Sequence, residues 1–140
     1  MSKEKQLSDI VEEIFKLESP QIEESRKEKI NKFIVSTVNG DEPIAHLAVN
    51  TSLGKDKDGV IAYILTDKRL IKIEIDSKDV QSASFKLSTI VSVRRKLIDA
   101  DREQFDIYFQ NDSFGLKYPT VDKRITEFFQ KIEQHYLDNS

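Results

Sequence analysis

The residues of this sequence whose types and spacing could support binding chemistry are basic, and the chemistry would be anion binding. The clusters are Lys68-Arg69, residues 94–96, which read Arg-Arg-Lys, and the loop lysines Lys55 and Lys57. Guanidinium and ammonium groups bind phosphate or carboxylate oxygens through charge-assisted hydrogen bonds. We therefore take four residues as the candidate anion-binding set: Lys68, Arg69, Arg94 and Arg95. The alternative, which we favour, is that they belong to solvated turns and to strand edges that charge protects from unwanted pairing.

Catalytic and metal-binding patterns are missing from the sequence. It contains no cysteine and only two histidines, His46 and His135, and neither has a second ligand at a suitable spacing. It lacks a nucleophile elbow, a phosphate-binding glycine loop and a His-Glu-x-x-His motif. The acid pair Asp99 and Asp101 falls in a polar segment between predicted strands, as solvated loop charges do. We predict a protein that is not an enzyme, with no cofactor, no metal and no small-molecule substrate.

The overall charge argues against nucleic acid as a partner. The chain carries 22 basic and 25 acidic residues, well mixed along its length, for a formal net charge of −3. Nucleic-acid-binding domains usually present a strongly basic face. No apolar segment approaches the roughly 20 residues that a membrane-spanning helix needs, and the first residues are polar. We therefore expect no secretion signal and a location in the cytoplasm of a prokaryote.

The first forty residues have the period of α-helices. Five apolar residues recur at the spacing of one helical face: Leu7, Ile10, Val11, Ile14 and Phe15. Pro20 ends this helix, with Ser19 as the N-cap of a second helix that runs toward Val38. Gly40 suits the position after that helix because it tolerates a left-handed backbone.

Residues 1–40 are thus predicted to be a helical hairpin that precedes a second domain over residues 41–140. Such short helices are not stable alone, so they must pack on something. One hypothesis is an arm for dimerisation or partner binding, with Ile10, Ile14 and Phe15 at the interface. The other is a flap that covers the exposed side of the second domain.

After Gly40 the hydrophobic period changes to two, which indicates β-strands. Strands are predicted at residues 44–49, 60–65, 70–75, 82–87, 90–93, 105–110 and 114–118. A polar loop is predicted over residues 51–59 and a turn over residues 66–69. A last helix, capped by Thr120 or Asp122, carries a wide apolar stripe: Val121, Ile125, Phe128, Phe129, Ile132 and Tyr136.

This order of elements predicts an α+β, mainly β fold. It is an antiparallel β-barrel of about seven strands, capped by the C-terminal helix and preceded by the helical hairpin. No helix separates the strands, which argues against a parallel βαβ arrangement. A sandwich of two sheets would leave the last helix without a partner.

Two segments resemble the bacterial pleckstrin-homology-like families. Residues 59–71 (GVIAYILTDKRLI) are similar to their hairpin, in which an apolar strand ends in Leu-Thr-Asp-Lys-Arg-Leu-Ile. Residues 87–93 (LSTIVSV) match a later strand of these families, and the final helix falls where theirs does. The resemblance covers residues 43–134. It implies a non-catalytic barrel that serves as a binding or assembly module, without implying a particular ligand.

The resemblance leaves two functions open. The first is protein–protein interaction or self-association, possible through a strand edge, the loops or the N-terminal helices. The second is a peripheral membrane or anion-binding domain that recognises acidic lipid headgroups. Pleckstrin-homology domains of the second kind hold headgroups with basic residues of the first loop and its adjoining strand. Here residues 55–58 alternate lysine with aspartate and carry no net charge, so we favour the first function.

Overall fold

The structure is a computed structural model, and it describes residues 3–17, 24–38, 40–53, 56–76, 79–119 and 123–139. It contains helices α1 (Lys3–Leu17), α2 (Glu24–Val38) and α3 (Lys123–Asp138). Its strands are β1 (Pro43–Leu53), β2 (Asp56–Thr66), β3 (Arg69–Ile75), β4 (Val80–Lys86), β5 (Ile90–Asp99), β6 (Arg102–Phe109) and β7 (Ser113–Pro119). A short 3-10 turn, Leu87–Thr89, lies between β4 and β5.

The strands form two antiparallel sheets. One has the order β1-β2-β3-β4 and the other the order β5-β6-β7. The mainly β fold with seven antiparallel strands and a C-terminal helix is therefore confirmed, whereas the closed barrel is corrected, because the two sheets do not join into one. Strands β4 and β5 belong to different sheets, and the 3-10 turn Leu87–Thr89 lies between them in the chain.

The chain divides into two compact units, Met1–Ser84 and Phe85–Ser140. The first holds α1, α2 and the four-stranded sheet; the second holds the three-stranded sheet and α3. The domain boundary at Gly40 stays a prediction. Side chains of α1 and α2 belong to the same core cluster as side chains of β1, β2 and β3.

The core of the first unit explains the long apolar run of β2. Its residues Val60, Ala62 and Ile64 lie in the cluster that the two helices join. Its alternate residues Ile61, Tyr63 and Leu65 point to the opposite face of the sheet and are also buried. A strand buried on both faces reads as continuously apolar rather than alternating. β3 keeps the predicted alternation, with Ile71, Ile73 and Ile75 all buried in the cluster.

The first hairpin differs from the sequence-based prediction. Residues 51–59 are mostly strand rather than loop, since Thr51 pairs with Gly59 and Leu53 with Asp56. The polar composition predicted a loop, but hydrogen bonding to a neighbouring strand overrides weak intrinsic strand preference. Gly40 has the expected positive φ of 87°. The helix caps assigned to Ser19, Thr120 and Asp122, and the stripe residue Val121, lie outside the described residues.

The second unit packs α3 on its three-stranded sheet. Phe105, Ile107 and Phe109 alternate toward the buried face as predicted. The buried stripe of α3 consists of Ile125, Phe128, Phe129 and Ile132. The rings of Phe105 and Phe129 stack at 4.8 Å between centroids. Within the described part of the chain, no helix is long and apolar enough to cross a membrane.

Candidate functional site

The four candidate anion-binding residues fall in different units. Lys68 and Arg69 lie at the turn between β2 and β3 in the first unit, where the turn was predicted. Arg94 and Arg95 lie on β5 in the second unit. The structure therefore places Lys68 and Arg69 at one turn of the first unit, and Arg94 and Arg95 at successive positions of one strand of the second.

Arg69 is engaged in holding the first unit together. Its Nε donates to Asp41 Oδ2 at 2.7 Å, and another guanidinium nitrogen donates to the Thr37 carbonyl at 2.8 Å. The third nitrogen donates to Ser84 Oγ at 3.2 Å. All three nitrogens of the guanidinium therefore have partners inside the chain, which leaves Arg69 poorly suited to an external anion. Lys68, by contrast, is exposed at the turn.

The acceptor of this arginine, Asp41, is a buried carboxylate. Thr66 Oγ1 lies 2.9 Å from Asp41 Oδ2, and it accepts the backbone N–H groups of Lys68 and Arg69 at 3.1 and 2.8 Å. Burial alone would raise the pKa of Asp41, but the hydrogen bonds from Arg69 and Thr66 outweigh it and hold that pKa below its ordinary value. The Thr-Asp-Lys-Arg segment, which carries the family resemblance, therefore forms a turn that hydrogen bonds hold against the end of α2.

The predicted interface residues of α1 lie against the chain's own sheet. Ile10 and Ile14 are buried, with 1% and 0% of their surface exposed, in the cluster shared with β1–β3. Phe15 is half-buried, and the ammonium of Lys27 lies 5.6 Å from the centre of its ring. Of the two hypotheses for the hairpin, this arrangement matches the flap that covers a sheet. An interface made by these three residues would require α1 to leave the sheet.

Glu13 fixes α1 to the edge of the first sheet, a contact that sequence reasoning missed. Its Oε1 accepts the backbone N–H of Ala48 at 3.1 Å, and its Oε2 lies 2.9 Å from His46 Nε2. Both partners belong to β1, which is an edge strand. Glu13 thus occupies one of the N–H groups that an incoming strand would use. Residues 33 to 35 positions apart carry no spacing signal, so a single sequence could not reveal the contact.

The outer half of β5 has the opposite character. β5 is an edge strand of the second sheet, and all residues at positions 94–100 are exposed. Six large apolar residues are exposed in the described part of the chain, and three of them, Val91, Leu97 and Ile98, lie on β5. Leu97 is 65% exposed, the highest value among them. We call residues 94–98 of β5 the open edge.

The pairing of β5 with β6 assigns the open-edge side chains to two faces. Arg95 and Leu97 pair with Phe105 and Glu103, so they lie on the face that α3 covers. Arg95 forms an ion pair with the buried Glu103. We call this side the groove face.

Arg94 and Lys96 lie on the opposite face of the sheet, which we call the outer face. They pair with Asp106 and Gln104 of β6. The guanidinium carbon of Arg94 lies 5.2 Å from the centre of the Tyr108 ring, within the range of a cation–π contact. Gln104 donates to the Asp106 carboxylate at 2.8 Å.

A groove of about 540 Å³ lies between the open edge and α3. The strands and the helix contribute acidic, basic, apolar and uncharged polar side chains. Its lining residues are Arg95, Leu97, Glu103, Lys123, Thr126, Glu127 and Gln130. A second groove of about 530 Å³ runs between α1 and α2 and includes Phe15, Lys27 and the half-exposed Val35.

The titratable groups with shifted pKa values do not form a catalytic arrangement among the described residues. Burial raises the pKa of Tyr63 to about 12, with Glu74 nearby adding to the effect. At the turn after β5, hydrogen bonding between the two side chains lowers the pKa of Asp99 and raises that of Asp101. The described residues contain no group of three or more potential metal-binding side chains placed around a common point.

Comparison with solved structures assigns the fold. The chain is similar to a pleckstrin homology domain from Shewanella amazonensis SB2B, with a TM-score of 0.52 and 14% identity over 78% of this chain and 86% of that one. The pleckstrin homology domain of USP37 gives a TM-score of 0.43 and 16% identity over 70% of this chain and 95% of that one. No family model and no curated protein matches the chain. The predicted pleckstrin-homology-like fold is therefore confirmed.

Proposed function

We propose that this chain is a non-enzymatic, cytoplasmic protein-binding module whose docking surface is the open edge of β5 together with the groove beside α3. The observation that carries the proposal is the exposure of Leu97 and Ile98 on an edge strand, next to a groove that α3 borders. An edge strand offers a row of backbone N–H and C=O groups to an incoming strand. A bordering groove adds side-chain selectivity to those backbone hydrogen bonds.

The basic residues of β5 are consistent with this role. Charged side chains on an edge prevent indiscriminate pairing between strands. The edge then favours partners whose charges complement its own. Arg94, Arg95 and Lys96 would thus discourage aggregation while leaving the edge accessible.

The anion-binding alternative has less support. Arg69 donates all its guanidinium nitrogens within the chain, and Arg95 is paired with Glu103. Lys68, Arg94 and Arg95 are exposed, but Arg95 already has Glu103 as its partner. Flotation with vesicles of anionic lipid at low salt tests this alternative. It predicts binding that falls when Arg94 and Arg95 are both changed to alanine.

Self-association is the other form of the leading proposal. A second copy could dock at the open edge, or at α1 if that helix leaves the sheet. Size-exclusion chromatography with light scattering over a range of concentrations separates these forms. A concentration-dependent dimer that Leu97→Asp abolishes would identify the open edge as the self-association surface.

Selection from a random peptide library, followed by binding measurements on variants, tests the docking surface. We expect selected peptides to bind the natural chain and to lose at least about tenfold in affinity for Leu97→Asp, because a buried charge would replace an apolar contact. Val35→Asp is the matched control, since Val35 is also an exposed apolar residue but lies on α2. Binding that survives Leu97→Asp, or that Val35→Asp removes, would contradict the proposed surface.

A further inference from the structure

We infer that the open edge accepts an extended segment in which acidic and apolar residues alternate, so that its carboxylates face Arg94 and Lys96 and its apolar side chains enter the groove beside Leu97. This inference rests on the proposed function and specifies the partner's chemistry. The observation behind it is that the two faces of the open edge differ in charge.

The outer face has an excess of positive charge. It presents Arg94 and Lys96, both exposed, on β5. The facing positions on β6 supply one carboxylate, Asp106, and a neutral amide, Gln104. Gln104 already donates to that carboxylate at 2.8 and 3.1 Å. An added carboxylate on this face therefore meets two cations and one partly engaged anion.

The groove face has no such excess. Arg95 is paired with the buried Glu103, and the helix side of the groove carries one cation, Lys123, and one anion, Glu127. Leu97 supplies an apolar surface that is 65% exposed. A charged side chain placed here would gain no net attraction and would lose hydration. An apolar side chain would instead remove Leu97 from water, which is favourable in proportion to the area buried.

The alternation of these faces sets the pattern of the partner. Successive side chains of a strand point to opposite faces of the sheet. A segment that pairs with β5 must therefore direct every second residue toward Arg94 and Lys96 and the remaining residues into the groove. Cross-strand pairs of opposite charge and of apolar residues are each stabilising.

The same charges argue against a second copy of β5 as the occupant. In an antiparallel pairing of two β5 strands centred anywhere from Arg94 to Lys96, at least one cation lies directly opposite another. Like charges placed opposite one another are destabilising. The open edge thus favours an acidic segment from another protein.

NMR titration of the full ¹⁵N-labelled chain with blocked nine-residue peptides tests the inference. One peptide alternates glutamate with valine, one alternates lysine with valine, and one has the composition of the first but groups its glutamates together. We expect β5 amide shifts with the alternating acidic peptide, at about tenfold higher affinity than with the other two. The double variant Arg94→Glu/Lys96→Glu should reverse the preference, whereas Lys68→Glu, an exposed cation of the first unit, should leave it unchanged.

The outcomes separate the inference from the proposed function. If the acidic and basic peptides shift the β5 amides equally, the inference on partner chemistry is overturned and the docking surface stands. If library-selected peptides bind but shift amides away from β5, the proposed surface itself fails. If β5 amides shift with protein concentration alone, the occupant is a second copy. The spectra of β6 and α3 report whether each variant keeps its fold.

Discussion

Two of the four edge strands in the described part of the chain, β1 and β5, show two ways to handle unpaired backbone groups. On β1, helix α1 lies over the strand and Glu13 accepts the N–H of Ala48 at 3.1 Å. On β5, residues 94–100 are exposed, and positions 94–96 carry three consecutive basic residues instead of a covering helix. A helix blocks an edge to every partner, whereas charge blocks only partners of like charge. The difference supports the proposal that β5 is an edge available for binding.

The arginines follow the same division. Arg69 directs its guanidinium into the first unit, toward Asp41, Thr37 and Ser84. Arg94 lies on the exposed face of β5 over the ring of Tyr108. A basic residue in the sequence can thus stabilise the fold through internal hydrogen bonds or remain a surface charge. Only its partners in the structure distinguish the two roles.

Truncating the side chain of Ile14, on the helix that covers β1, should have the largest effect on the free energy of unfolding. Ile14 is fully buried in the cluster shared with the first sheet. Ile14→Ala is expected to lower the free energy of unfolding by about 2–5 kcal/mol, through lost burial and a residual cavity. Urea denaturation followed by circular dichroism measures this. A loss below about 1 kcal/mol would mean that α1 does not cover the sheet, and the contrast between the two edges would fail.

Removal of the Arg69 side chain should have the next largest effect. Arg69→Ala leaves the buried Asp41 without its main partner, and we expect a loss of about 2 kcal/mol because Arg69 is partly exposed. Lys68→Ala is the control at the neighbouring exposed position, with an expected change within about 0.5 kcal/mol. The same denaturation measurement compares the two. Equal effects of the two changes would show that the hydrogen bonds of Arg69 do not stabilise the fold.

The Asp41 contact also predicts a dependence on pH. A carboxyl group whose pKa is lower in the folded than in the unfolded state stabilises the fold above its unfolded pKa, and this contribution disappears as the pH falls through the folded pKa. The natural chain should therefore exceed Asp41→Asn in stability at neutral pH, and the gap should narrow below about pH 4. Denaturation of both proteins across this range tests the prediction. A gap independent of pH would place the stabilising charge elsewhere.

The sequence predicted the periodic elements well and the long-range polar contacts poorly. The stripes of α1 and α3 and the alternation of β3 and β6 follow from side-chain period alone, as burial of Ile10, Ile73 and Phe105 confirms. The seven strands and the last helix were predicted, but their division into two sheets was not, because pairing between strands far apart in the chain leaves no local signature.

The sequence-based β5 also stopped short of its true end. Residues 94–99 extend the strand beyond the predicted residues 90–93. Arg94 to Lys96 were interpreted as possible edge-strand residues and Asp99 as part of a polar segment between strands, and pairing with β6 holds all of them extended. The sequence therefore identified only part of the candidate site. Arg94 and Arg95 were predicted, whereas Leu97 and the groove were not.

Loss of the Glu13 carboxylate should uncover part of β1 at modest cost. Glu13→Ala removes the acceptor of the Ala48 N–H and the partner of His46. We expect a loss of about 1 kcal/mol, because both side chains are partly solvated, and faster hydrogen exchange at the Ala48 amide by about fivefold. Glu13→Gln is the matched control that keeps an acceptor and should retain most of the protection. An Ala48 amide that exchanges at the same rate in all three proteins would show that Glu13 does not cover the edge.

The smallest expected effect on stability is at the open edge itself. Leu97 is an apolar residue on an edge strand, as are the residues that α1 covers on β1, but 65% of its surface faces water. Leu97→Ala should therefore change the free energy of unfolding by no more than about 0.5 kcal/mol, although it removes as many methyl and methylene groups as a buried truncation would. The same variant should bind more weakly to the peptides selected on the natural chain. Ile14→Ala should therefore change mainly stability, and Leu97→Ala mainly peptide binding. A stability loss above about 1.5 kcal/mol would mean that Leu97 is packed within the fold, and β5 would then be covered as β1 is.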